Sequence, residues 1–469
     1  MAEFGGPVDY IVDAVKLSFK ALKVTTGARF AQVSLAVIPF LQELLDAMFS
    51  YEVARKSGPS GPPPTLGGNP EGEFQVHSML GDLATLKGEG EPPAQLLQRV
   101  LAKLEAWERS SGNALPGRVR TVLKRAITLF KCMDAPPSFF ELLVEVKGAM
   151  KGRYDQVVGQ LLEHLDSDAL QRMLTKLSTV ITNVQDRVLA IDSLVSGIFR
   201  DRARRTQTIA DFMKATDPEK LAELMSLMGR VTARLNGDAV LVGFALRSLI
   251  QSGVIRNADE AKEFFERVDN LIDDVSWDPT SMKGVRSALH RIGNTDAYNL
   301  VMGSVVQLDI SRTLSKQVSE GNVPPELAGA VKVRLEVREP TGDWPTNKRG
   351  KAYKETQSVD VVYVDANNNV IGNVEVKTFN ITRLNDTNND GALNALRSQL
   401  LRYIKLKLLG QEFRYAVPDS DTAGRIIDAM TTKEQLAFRR AFGENIETLV
   451  SSNPKVYKYF NVVSSSFYR

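Results

Sequence analysis

Apolar positions recur every three or four residues over most of the first 290 residues, the period of a helix with one buried face. Leu96, Leu97, Val100, Leu101 and Leu104 start the series, and Val122, Ile127 and Leu129 continue it, followed by Leu142, Leu143 and Val146. A long run from Leu170 to Val195 keeps the same spacing, and Asp166 to Asp168 supply N-caps at its start. Residues 167–199 and 217–250 look weakly alike, each opening on an acidic cap and a Leu-rich turn. That likeness fits a duplicated helical hairpin.

Near residue 295 the period changes. Asp296 to Val318 still reads as helix, but Val331 to Glu339 alternates apolar with charged residues as a half-buried strand does. Two further strands, Gln357 to Asp365 and Val370 to Thr378, flank a run of asparagines that suits a hairpin turn. Gly391 to Leu409 reads as helix, Phe413 to Pro418 as strand and Asp421 to Met430 as helix. The expected fold class is α+β: an all-α N-terminal region, then an α/β domain with the order αβββαβ.

Glycine and proline punctuate the chain at Ser57 to Gly72 and again at Lys87 to Pro93. The expected organisation is a helical arm (1–56), a Pro/Gly-rich linker (57–72), a helical region without recognisable chemistry (73–294) and a C-terminal domain (295–469) that folds by itself. At 469 residues two or three domains are expected. The stretch Phe30 to Phe49 is the most apolar, yet it holds Gln32, Pro39, Gln42, Glu43 and Asp46, so it predicts a buried or partner-facing helix and no membrane span. Met1 to Tyr10 carries Glu3 and Asp9 and no base, so a cleaved secretory leader is not expected.

Composition narrows the chemistry. One cysteine, Cys132, excludes an intramolecular disulfide, a four-cysteine zinc site and a four-cysteine iron–sulfur cluster. Three scattered histidines argue against a histidine-based zinc centre or a Ser-His-Asp triad. Hard cations held by oxygen remain. The net charge of +3 is carried entirely by residues 295–469, which hold 23 Lys and Arg against 20 Asp and Glu. The cluster Arg200, Arg202, Arg204 and Arg205 could touch phosphate, but it reads better as a solvated helix end.

The second and third strands carry the candidate chemistry. Asp360 lies on one, Glu375 and Lys377 two apart on the other, and hairpin pairing brings Asp360 within a few residues of Glu375 across the ladder. Two carboxylates so placed can share Mg²⁺ or Mn²⁺, and the neighbouring lysine can orient water or neutralise charge on a phosphate. This D-x14-E-V-K pattern on a hairpin inside an αβββαβ string resembles the PD-(D/E)xK nuclease superfamily. Gln399 and Tyr403, in SQLLRYIKL, resemble the Q-h-x-x-Y motif of its RecB-like branch.

The resemblance covers about residues 295–469 and implies a restriction-endonuclease-like fold and a Mg²⁺-dependent nuclease, with DNA as the expected substrate. By that likeness Asp360, Glu375, Lys377 and Gln399 are catalytic. The metal ligands are Asp360, Glu375, the Val376 carbonyl and an acidic residue of the first helix. Asp309 is the preferred residue there, with Gln307, Glu320 and His290 behind it. Tyr403, Arg397, Arg402 and Lys405, with Lys407, are expected along the nucleic acid. Val359 stands where the superfamily's name puts proline, and the cysteines that hold an iron–sulfur cluster in some RecB-like nucleases are missing.

The layout, a nuclease behind a long helical region, suits a cytoplasmic or virion-associated enzyme or a delivered toxin, with the helices mediating protein assembly. The competing reading is a structural or nucleic-acid-binding assembly protein that uses a nuclease-like fold without turnover.

Overall fold

The computed structural model describes residues 93–111, 117–132, 135–197, 203–273, 282–323, 325–340, 356–376 and 412–416, with a few single positions elsewhere. Two compact units divide the chain: residues 1–198 with 210–229, and residues 199–209 with 230–469. Among the described residues no helix is long and apolar enough to cross a membrane.

The first unit is helical. It contains α1 (Pro93–Ser111), α2 (Gly117–Lys131), α3 (Pro137–Met150), α4 (Tyr154–His164), α5 (Ser167–Val180) and α6 (Val184–Ser196). The ends of α7 (Ala203–Ala215) and α8 (Pro218–Arg234) fall on the division between units. Helix starts follow their caps: the Asp166 carboxylate accepts from Ala169 N at 2.8 Å, and Asn183 accepts from Gln185 N and Asp186 N. Asp217 accepts from Glu219 N and Lys220 N at the start of α8, so both segments that look alike open on a working acidic cap.

Phe130, Phe139, Phe140 and Tyr154 fill the core of this unit. Within the apolar stretch 30–49, Ala36, Phe40 and Leu44 are helical and at most 1% exposed, while Pro39 and Glu43 beside them are half-buried. The Tyr154 hydroxyl donates to the Ala36 carbonyl at 3.3 Å, and Phe40 packs on the Tyr154 ring with centroids 5.8 Å apart. Arg125 donates to Glu43 at 3.1 Å and also to Glu163, and it fits because Gly159 presents no Cβ; one there would lie 2.7 Å from the guanidinium carbon. Burial raises the Glu43 carboxyl above the usual range, while Arg125 pulls it down.

In the second unit α9 (Ala239–Gln251), α10 (Ala258–Asp273), α11 (Met282–Gly293) and α12 (Tyr298–Ser319) precede the strands β1 (Lys332–Pro340), β2 (Thr356–Val364), β3 (Val370–Val376) and β4 (Glu412–Ala416). The sheet runs β1-β2-β3-β4, with β1–β2 and β2–β3 antiparallel and β3–β4 parallel. Parallel neighbours need a crossover, and residues 377–411 are long enough to make one. Between β2 and β3, the Asp365 carboxylate accepts from Asn367 N and Asn369 N, both at 2.8 Å, and Asn368 takes φ 65°. This is the asparagine turn the sequence predicts.

β1 alternates as expected, with Val333 and Leu335 buried and Lys332 and Arg334 partly exposed. β2 does not alternate: Val361 to Val364 are all fully buried, so the middle of the sheet is covered on both faces. Residue 295, the expected domain boundary, lies inside the second unit between α11 and α12. The physical reason is α11. Gly284 lets its backbone press on β1, where an added Cβ would stand 2.5 Å from the Leu335 carbonyl oxygen. On the opposite side of α11, a Cβ at Gly293 would stand 3.0 Å from Phe244 Cβ of α9, and Arg247 donates to the Gly293 carbonyl at 3.1 Å. α11 is thus layered between the sheet and α9.

Candidate functional site

Asp360 sits near the middle of β2, partly exposed, beside the fully buried run that follows it. The β2–β3 ladder pairs Val361 with Val374, and the same register carried one rung further sets Asp360 opposite Glu375. Glu375 in turn pairs with Tyr415 of β4. Local sequence explains this register: the asparagine turn closes the hairpin, and an irregularity between Tyr363 and Val364 absorbs one residue before the regular ladder begins. Val374, between the turn and Glu375, is 2% exposed, as apolar packing requires.

Helix α12 reaches this strand through Gln307, whose amide nitrogen donates to the Asp360 carbonyl at 3.1 Å. The Gln307 side chain is itself held from the other end, because its amide oxygen accepts from Arg291 Nη2 of α11. Burial lowers the Arg291 pKa from its ordinary value, and the negative charge of Asp360 works the other way. A guanidinium, an amide and the backbone of the candidate ligand strand are therefore linked in one chain.

Asp309, the preferred first-helix ligand, is elsewhere. Its side chain is 4% exposed and accepts from Arg267 Nη1 of α10 at 2.7 Å, and Arg267 also pairs with Glu263. Two residues along a helix turn the side chain by about 200°, so Asp309 faces α10 while Gln307 faces the sheet. Glu320 and His290 are exposed, Glu320 beside Lys316 and His290 against Asn294. Of the four residues considered on or near the first helix, Gln307 donates a hydrogen bond to the Asp360 carbonyl.

The backbone of Glu375 and Val376 is described, but their side chains, and all of Lys377, Arg397, Gln399, Arg402, Tyr403, Lys405 and Lys407, lie outside the described residues. Among the described side chains, no three His, Cys, Asp or Glu residues gather into a metal-holding group. Two carboxylate positions on facing rungs are a donor set that suits a hard divalent cation. Arg291 is the residue that sequence reasoning missed. Nothing in its local pattern marks it, since it stands in the last turn of an amphipathic helix where a base favours the helix dipole anyway. Comparison of the chain with protein-family models, curated proteins and solved structures finds no match.

Proposed function

We propose that this chain is a metal-dependent nuclease of the PD-(D/E)xK type that hydrolyses phosphodiester bonds of DNA, its site built on the β2–β3 hairpin. The observation that carries the reading is the mixed sheet, in which the β2–β3 register continued one rung beyond Val361–Val374 faces Asp360 with Glu375, and β4 runs parallel beside β3. With α12 in front, the described elements run helix, three strands and a fourth strand; the helices expected at Gly391 to Leu409 and Asp421 to Met430 lie outside the described residues.

Asp360, Glu375 and the Val376 carbonyl would hold one or two Mg²⁺ or Mn²⁺ ions. When bound, such a cation supplies a water of lowered pKa and neutralises charge on the phosphate. Gln307 holds the Asp360 backbone in place from α12. By the resemblance Lys377 would orient the attacking water, Gln399 and Tyr403 would flank the site, and Arg397, Arg402 and Lys405 would follow the nucleic-acid backbone.

The test is degradation of linear, circular and single-stranded DNA by the purified full chain, with and without Mg²⁺ or Mn²⁺. The wild type should cut, and Asp360→Ala and Lys377→Ala should each lose on the order of a hundredfold or more in single-turnover rate. Binding without cleavage in either metal, or equal cleavage by well-folded Asp360→Ala, overturns the reading in favour of a nucleic-acid-binding assembly protein.

A further inference from the structure

We infer that Arg291 is a phosphate contact of the Asp360 site, delivered by a helix that lies outside the αβββαβ core. The inference rests on the nuclease reading for its substrate and on three independent placements for its geometry.

The first placement is the docking of α11. Gly284 and Arg291 are seven residues apart, about two helical turns, so they share one face of α11. Gly284 brings that face against the β1 backbone at Leu335, and Val285, Ala288, Leu289 and Ile292 are fully buried around it. A helix seated so tightly holds its last turn at a set height over the sheet.

The second placement is the hydrogen-bonded link. Arg291 donates to the Gln307 amide oxygen, and the same Gln307 amide donates to the Asp360 carbonyl. Gln307 is 4% exposed, so this is a buried strut between α11 and β2. The third is charge: the Asp360 carboxylate acts on the Arg291 guanidinium across this link, while the residue as a whole is exposed at the surface. Arg291 is therefore an exposed residue whose guanidinium is tied to Gln307 and lies within electrostatic reach of Asp360.

A guanidinium carries five N–H donors in a planar fork that matches two oxygens of a phosphodiester. In the free protein its charge offsets that of Asp360. The fork is offered to a phosphate of the bound strand with or without a cation at Asp360.

The experiment measures duplex DNA binding by the full chain without metal over a range of salt concentrations, beside Mg²⁺-dependent cleavage and thermal unfolding. Arg291→Gln should reduce the salt slope of binding by about one, the loss of one phosphate contact, and slow cleavage by roughly tenfold or more. Arg291→Lys keeps the charge and should hold the wild-type slope, yet cleave more slowly because an ammonium cannot grip two oxygens. An unchanged slope for folded Arg291→Gln overturns the proposal; if that variant unfolds, Arg291→Lys with wild-type cleavage overturns it. A wild type that binds DNA but never cuts defeats the nuclease reading alone, since the slope still decides the role of Arg291.

Discussion

Gln307 and Asp309 differ by two positions on α12, and their environments differ completely. Gln307 joins the sheet, whereas Asp309 is sealed against α10 by Arg267. Removing one member of a buried ion pair strands the other, which costs about 3–5 kcal/mol. Here Arg267 is 23% exposed and keeps Glu263, so the low end of that range applies. Asp309→Asn should thus lower stability by about 3 kcal/mol in urea unfolding while leaving Mg²⁺ affinity, read by calorimetry, at the wild-type value. A clear loss of Mg²⁺ affinity in the folded variant would return Asp309 to the metal site.

At the scale of elements, α11 is defined by its two glycines. A helix interior normally gains up to about 1 kcal/mol when glycine becomes alanine. At Gly284 the new methyl would meet backbone, the Leu335 carbonyl, and backbone cannot step aside as a side-chain tip can. Overpacking of this kind costs about 1–3 kcal/mol, so it outweighs the propensity gain. Gly284→Ala should therefore lower the urea midpoint and, by pushing the helix that carries Arg291 away from β1, slow DNA cleavage as well. Gly148→Ala is the control: that glycine is exposed on α3 with nothing within 4 Å of an added Cβ, so the same change there should stabilise. Equal responses at the two positions would show that α11 does not press on β1 as tightly as this geometry has it.

On the scale of the whole molecule, the second unit reaches back to residue 230, well ahead of the change of period near residue 295. A fragment of residues 295–469 lacks α9, α10 and α11, and so bares the faces of β1 and α12 that these helices cover. It should lack a cooperative unfolding transition, whereas residues 218–469 should unfold cooperatively with a midpoint near that of the second unit in the full chain. Cooperative unfolding of 295–469 at the same midpoint would place α9 to α11 outside the sheet's cooperative unit.

Much of this was legible in order along the chain. Three- and four-residue spacing marked the helices, Asp166 marked a helix start that it does cap, and alternation marked β1. Asparagines between two apolar runs marked the hairpin, but the irregularity between Tyr363 and Val364 shifts the register by one residue from what the turn alone would set, so the rung facing Asp360 was not readable from the turn. The helices, the alternation and the turn are local consequences of backbone geometry and side-chain period, which depend on neighbours within a few residues. The partners of α12 were not readable in this way. Val301, Met302, Val305, Val306, Leu308, Ile310 and Leu314 are all buried, so its apolar pattern runs around the helix and singles out no face for the sheet. Whether Gln307 or Asp309 met Asp360 was decided by where α10 and α11 settled, and Arg291 entered the site through contacts sixteen and more residues away in sequence. Periodicity says that a face will be buried; only close packing in three dimensions chooses what it is buried against.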